Sequence, residues 1–497
     1  MTAFPANLLS RFWLIPVLAL VCGIHLIFAA FTISRSNQDP VASDQGAEMW
    51  LASLARESAF PQITDGVRHP LFSWLAQKTF SEDQDVFFKR GKWFNTALVI
   101  GFLCVLGITV RRWLDPLATT NLLLLCSLGI LLVRGTYFQP EPVFYILFFC
   151  CLVMAWEILT GATWKIYPLF GITCGLAFLA KPSLLPLLAA LAFAIGVKIL
   201  ATFCFNKPPV RDGSVPKKLR RFSSEKPELL LPPKRAGLPD ILPDSSQIAG
   251  ALLGILAFAA LIAPLGFFGQ KYFGKPFFNY PQYWMWMDDF KTEAWPWQDK
   301  YPGRAQLEKI PPGELPSFTW YFERHTPAEA VIRLTQGTTQ VLTKFFFPES
   351  KRPASAFFWR NDQPKKPWEQ PLAHRGIYLI TLTLLCGALA LMARKSLTPL
   401  SATHVAIAAF LLTCFFGYAK LYGWYWPIGR GDRFMGSLWI PAVFLMIVGS
   451  AYLRPLAGKF SNRLYYSTHA LVLVSLLLQA ASLLNLFLHG GSLLTRN

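Results

Sequence analysis

Apolar runs long enough to cross a bilayer dominate the chain, separated by short basic turns and by three longer polar segments. A spanning helix needs about 20 largely apolar residues. Runs near 10–33, 93–110, 116–133, 140–160, 166–181, 183–204, 247–267, 376–393, 402–421, 434–453 and 466–488 therefore predict about eleven transmembrane helices. The first run, LLSRFWLIPVLALVCGIHLIFAAFTI, exceeds the ~7–15-residue core of a signal peptide, and no small-x-small site follows promptly. It is expected to be a retained first helix. The fold class that follows is an all-α polytopic membrane bundle.

The polar segments divide this bundle. Residues 1–204 form an N-terminal membrane part with a first exoplasmic loop at 34–91. A basic, Pro-rich cytoplasmic connector follows at 205–246, then a helix at 247–267, a Trp-rich exoplasmic loop at 268–374 and C-terminal membrane helices at 375–497. Charge sets the orientation. Lys+Arg total 47 against Asp+Glu 28, a net charge of +19, while only 15% of residues are charged and 53% are hydrophobic. A soluble chain carries roughly 25% charged residues. The basic residues cluster in RRW at 111–113, ARK at 393–395, RPLAGKFSNR at 454–463 and the connector. An inside N-terminus and alternating spans put all four in the cytoplasm, as the positive-inside rule requires. This clustering argues against a nucleic-acid partner, and the connector's cations suit anionic membrane lipids. Eight of the nine cysteines lie inside apolar runs and Cys204 ends one, so no disulfide framework is expected in the loops.

The Trp-rich loop holds Trp284, Trp286, Trp295, Trp297, Trp320, Trp359 and Trp368, with Asp288, Asp289, Asp299 and Lys300 among them. Such a mixture fits either a sugar-packing surface or an aromatic belt at the membrane boundary. Farther along, Thr326, Pro327 and Glu329 have the spacing of a helix start with a capping box. Val331, Leu334, Val341, Leu342 and Phe345 then give an apolar side, which predicts a helix lying at the interface.

Charged residues at the exoplasmic ends of the spans carry the candidate chemistry. Ser43 or Asp44 is placed to cap a short helix with Trp50, Leu51 and Leu54 on its buried side, and Glu48 lies one turn on. Arg68 and His69 precede Pro70; Arg134 and Glu141 flank the third and fourth spans; Lys181 stands at a hinge between the fifth and sixth; Arg430, Asp432 and Arg433 open the tenth. Singly, Asp44 reads as a helix cap and each cation as a snorkelling side chain. Together, carboxylates and cations on one side suit a lipid phosphate attacked by a nucleophile. The cations stabilise phosphate charge and a carboxylate takes a proton. No Walker loop, zinc-protease motif or dinucleotide fingerprint is present, and His25, His404 and His469 are scattered as hydrogen-bonded structural residues tend to be.

The ordered set DQGAEMWLASLA, RHPLFSWL, Glu141, GLAFLAK and DRFMGSLWIP resembles the C-type (GT-C) glycosyltransferases. It is most similar to the branch of protein O-mannosyltransferases and the lipid A aminoarabinose transferase. The resemblance covers about 10–450. It implies transfer of a sugar from a polyprenyl-phosphate donor to a lipid, polysaccharide or protein acceptor at the exoplasmic face, in a cell membrane of bacterial inner-membrane type. On this resemblance Asp44 is the catalytic base, Glu141 a second acid and Lys181 a phosphate contact. Arg68 or His69 and Arg433 are further anionic-ligand contacts, and Glu48 and Arg134 join them as substrate-binding candidates by their place at the same end of the spans. No cofactor is implied and a divalent metal is optional, because phosphate already leaves readily. Two positions depart from the pattern: Gln45 follows Asp44 where relatives carry Glu, and Arg68-His69-Pro70 stands where the aminoarabinose branch has Glu-Lys-Pro. A transporter or flippase, and a surface-polysaccharide ligase or polymerase, are the competing expectations.

Overall fold

A computed structural model describes residues 12–40, 44–57, 64–205, 245–311, 313–347, 372, 375–394, 396–397, 400–429 and 432–489. Among these every regular element is helical, so the chain is an all-α polytopic membrane protein with ten helices long and apolar enough to cross a membrane. The principal helices begin with α1 (Leu14–Arg35), α2 (Gln45–Leu54), α3 (Pro70–Ala76), α4 (Gln84–Val110) and α5 (Pro116–Gly135). There follow α6 (Glu141–Thr160), α7 (Ile166–Ala180), α8 (Pro182–Cys204), α9 (Ser245–Phe273) and α10 (Pro327–Phe346). The series ends with α11 (Arg375–Ala393), α12 (Ala402–Trp424), α13 (Arg433–Ala457) and α14 (Phe460–Asn485).

All eleven apolar runs are helical, but α7 has only 15 residues and is not among the ten. It stops because Pro182 disfavours helical backbone at Lys181, whose φ is −157° and ψ 136°. In the first loop, α4 begins nine residues before its predicted span, with Asp83 capping the amides of Asp85 and Val86. Most of the basic connector, together with Ser43, Trp359, Trp368 and Arg430, lies outside the described residues.

Burial identifies the pillar of the bundle. The apolar window of α5 is 83% buried and that of α9 only 17%, so α5 is central and α9 peripheral. A π-helical turn at Ser127–Leu131 interrupts α5. Beside it the Leu125 carbonyl accepts the Trp439 indole N–H at 2.8 Å, and Gly129 leaves the indole room that a Cβ would fill. Two histidines tie other helices to α5. His25 Nδ1 lies 2.8 Å from Ser127 Oγ, and the His469 carbonyl accepts from Asn121 at 2.8 Å. On the outside, Phe267, Leu384, Leu412 and Leu471 stay 58–76% exposed, the surface a lipid solvent requires.

Two crossings bring helix backbones together. In α7, Gly171 meets Gly254 of α9, and a Cβ on Gly171 would lie 2.0 Å from the Gly254 carbonyl oxygen; one turn along on each helix, Gly175 makes room for the Leu261 side chain and Gly250 for the Trp164 backbone. In the second, Gly337 of α10 meets Gly423 of α12. The predicted capping box of α10 is formed by Thr326 and Glu329. Its predicted apolar side divides. Val341 and Phe345 are fully buried against the bundle, whereas Val331 is 63% exposed. Buried Arg375 locks the end of α10, donating to the Lys344 and Phe345 carbonyls and to that of Gly129 in α5.

Candidate active site

The charged residues gather at one end of the bundle, opposite the end where Asp115 of α5 pairs with Arg454 at 3.2 Å. Asp44 occupies the cap position of α2, yet its side chain makes no capping bond. Both carboxylate oxygens are taken by arginines: Oδ1 by Arg68 Nη2 at 2.9 Å and Oδ2 by Arg433 Nη1 at 2.5 Å. Burial pushes the Asp44 carboxyl up, but Arg433, Arg68 and Lys181 outweigh it and hold it well below the usual carboxylate range.

The buried side of α2 differs from the predicted one. Trp50 is 55% exposed and Leu54 half-buried, while Gln45, Glu48, Met49 and Ala52 join Leu51 inside. The inward stripe mixes polar Gln45 and Glu48 with apolar Met49, Leu51 and Ala52, and of these Glu48 faces the charged cluster. Gln45 exchanges amide bonds with Asn37 at 2.8 and 3.0 Å and accepts from the Phe138 amide. Gln45 is thus a fastener between the end of α1 and the turn before α6. Glu48 accepts from Ser73 Oγ at 3.1 Å and lies 3.9 Å from Arg68 Nε. Burial raises its carboxyl to about 8 against the pull of Arg68.

Arg68 is held by a turn at Asp65-Gly66. Asp65 Oδ1 accepts from the amides of Val67 at 2.9 Å and Arg68 at 2.8 Å, and its other oxygen pairs with the Arg68 guanidinium. Gly66 takes φ +76°, the left-handed region that favours glycine.

The other half of the cluster comes from helix ends. Glu141 opens α6, where a carboxylate suits the helix N-terminus, and Lys181 Nζ lies 2.6 Å from its Oε1. Arg433 Nη1 stands 4.0 Å from the same oxygen and so joins this pair to Asp44. Glu141 Oε2 is buried without a hydrogen-bond partner. Lys181 also sits 4.7 Å over the Phe434 ring, which stacks on Tyr422 at 4.6 Å, while Tyr145 donates to the Arg433 carbonyl.

Of the predicted residues, Asp44, Glu48, Arg68, Glu141, Lys181 and Arg433 form one contiguous network, and Arg134 is near enough for its charge to act on Glu141. His69 turns away: its Nδ1–H donates to the Phe178 carbonyl at 2.7 Å, and burial lowers its imidazole to about 4. It docks α3 on α7 as a neutral ring. Asp65 and Ser73 are participants the sequence reading did not single out. Asp44, Glu48, Asp65 and Glu141 are balanced by Arg68, Arg134, Lys181 and Arg433. Burial favours the neutral form of Glu48, and with Glu48 neutral the cluster carries one positive charge in excess.

The second loop builds its own core. Tyr280, Tyr283, Trp284, Phe273, Phe278 and Met287 are buried together, with Trp297 and Trp320 packed against them, so three of the tryptophans serve folding. Trp286 is different: with Met285, Phe318, Phe322 and Trp424 it lines an open apolar groove of about 240 Å³. Asp288 pairs with Arg333 at 2.9 Å, Asp289 caps Thr292, and Lys300 pairs with Glu314 at 2.6 Å. Among the described residues no group of three or more His, Cys, Asp or Glu side chains is close enough to hold a metal ion. No family model, curated protein or solved structure matches the chain.

Proposed function

We propose that this chain is an integral-membrane glycosyltransferase that moves a sugar from a polyprenyl-phosphate donor to an acceptor hydroxyl at the exoplasmic face. The observation that carries the reading is the junction of Asp44–Arg433 with Glu141–Lys181 at one end of the bundle. Groups from α2, α6, the α7–α8 hinge and α13 converge there, far apart in sequence. An excess positive charge at a water–lipid boundary suits a lipid-linked phosphate, and a one-ended cluster favours reaction over passage through the bundle.

In this reading the acceptor oxygen attacks the anomeric carbon from the face opposite the phosphate. The new C–O bond forms as the bond to the phosphate oxygen breaks, so configuration inverts and the electron pair leaves with polyprenyl phosphate. Asp44 takes the hydroxyl proton. It is a weak base while both arginines hold it. A phosphate that draws Arg68 and Arg433 to itself restores the basicity of Asp44 only when donor is bound, which ties proton transfer to donor binding. Lys181, fixed by Glu141 and Phe434, stays on the departing phosphate.

The test is mass spectrometry of glycolipids, glycans and glycoproteins in a deletion strain complemented with wild type, Asp44→Asn or Lys181→Ala. Wild type is expected to restore a glycan that both variants lose, with turnover down about 10²–10⁴-fold for Asp44→Asn. Full transfer by folded variants would overturn the assignment.

A further inference from the structure

The turn that carries Arg68 is gripped from the second loop. The Tyr280 amide donates to the Gly66 carbonyl at 2.8 Å, and the Tyr280 ring lies where a Cβ on Gly66 would come within 2.9 Å of it. Tyr280 is itself immobilised: it is 1% exposed, and its hydroxyl donates to the Tyr301 carbonyl at 2.8 Å. Next to Gly66, Val67 packs into the same aromatic core. That core also takes in Ile428 and touches Tyr425, in the segment leading to Arg433. One small core thus abuts both arms that reach Asp44.

We propose that Tyr280 is a positioning residue, bracing the Gly66 turn so that Arg68 is held on the Asp44 carboxylate. The second loop therefore sets how available Asp44 is. An acceptor that shifts this loop releases Arg68 and frees the base, so acceptor engagement and proton transfer are coupled through about one residue's thickness of packing. That consequence rests on the transferase reading; the brace itself does not.

Asp44 reports on the brace directly. It is faced by Arg68 from the α3 turn, Arg433 from α13, Lys181 from the hinge and Glu48 from its own helix, with Asp65 and Glu141 behind them and Tyr425 alongside. Its side chain is 36% exposed and so is open to reagent. A carbodiimide modifies protonated carboxyls, so the pH of half-labelling of Asp44, followed by peptide mass spectrometry on the full chain, measures its ion pairing. In Tyr280→Ala the half-labelling pH is expected to rise by about 1 unit, since the loss of one adjacent cation raises a carboxyl by that order. Gly66→Ala attacks the same contact from the other side and is expected to do likewise. Tyr280→Phe keeps the ring and should label as wild type, as should Trp320→Leu, which trims the same core at a residue other than the Tyr280 ring partners Phe273, Phe278, Trp284 and Trp297. Unchanged labelling in both Tyr280→Ala and Gly66→Ala would overturn the proposal, as would an equal shift in Trp320→Leu. Labelling needs no sugar transfer, so a chain inert in transfer assays that shows the shift fails the transferase reading alone.

Discussion

Two carboxyls one helical turn apart on α2 have been driven in opposite directions, and the cause is what each one faces. Asp44 meets two guanidiniums and stays ionised, whereas Glu48, 3% exposed, meets a serine hydroxyl and only a distant edge of Arg68. The linkage signs follow. Asp44 is held below its ordinary value, so its contribution to stability is present above that value and lost as pH falls through the lowered one. Glu48 is raised to about 8, so its contribution is complete below its ordinary pKa and lost as pH rises through 8. Glu48→Gln keeps an acceptor for Ser73 and cannot ionise. Thermal unfolding of the purified protein between pH 5 and 9 is therefore expected to flatten in Glu48→Gln, with the largest gain over wild type at the alkaline end. A slope equal to wild type would mean that Glu48 is ionised throughout.

At the scale of helices, glycine sets the approach. In both crossings the partner is a backbone carbonyl that no rotamer change can move aside. Gly171→Ala and Gly337→Ala are each expected to destabilise by about 1–3 kcal/mol, whereas Gly101→Ala, which has open space around its Cβ position, should be neutral or slightly stabilising. Unfolding midpoints of the three variants compare them directly. The paired G-x-x-x-G spacings are visible in the sequence, though a reading by apolar length passes over them. Length did place every spanning helix, because a bilayer admits few alternatives. The cap and capping box of α10 were legible for the same reason: a local hydrogen-bond pattern has a local signature. The fate of its apolar side was not, since whether Val331 or Val341 finds a partner depends on α12, some 70 residues away.

Across the whole molecule the same division holds for the site. That Asp44, Glu141, Lys181 and Arg433 share one end followed from counting spans, but their pairing depended on how α2, α6, α7 and α13 pack, and no single segment encodes that. His69 shows the limit: adjacent to Arg68 in sequence, it points into the α3–α7 contact because residue 69 caps a helix whose next residue is Pro70. The brevity of α7 reaches beyond the protein itself. At 15 residues it is about 22 Å long against a hydrocarbon core of about 30 Å. Trp164 and Lys165 suit an anchored lower end, so the missing length falls at Lys181. Under the proposed function, thinning of the lipid beside α7 would lower the headgroup layer toward the cluster and let a carrier phosphate reach Lys181 without leaving the leaflet. Sugar transfer in vesicles of graded acyl length is then expected to slow as the bilayer thickens, and indifference to thickness would count against it. A transferase built this way would shape the membrane as part of its active site.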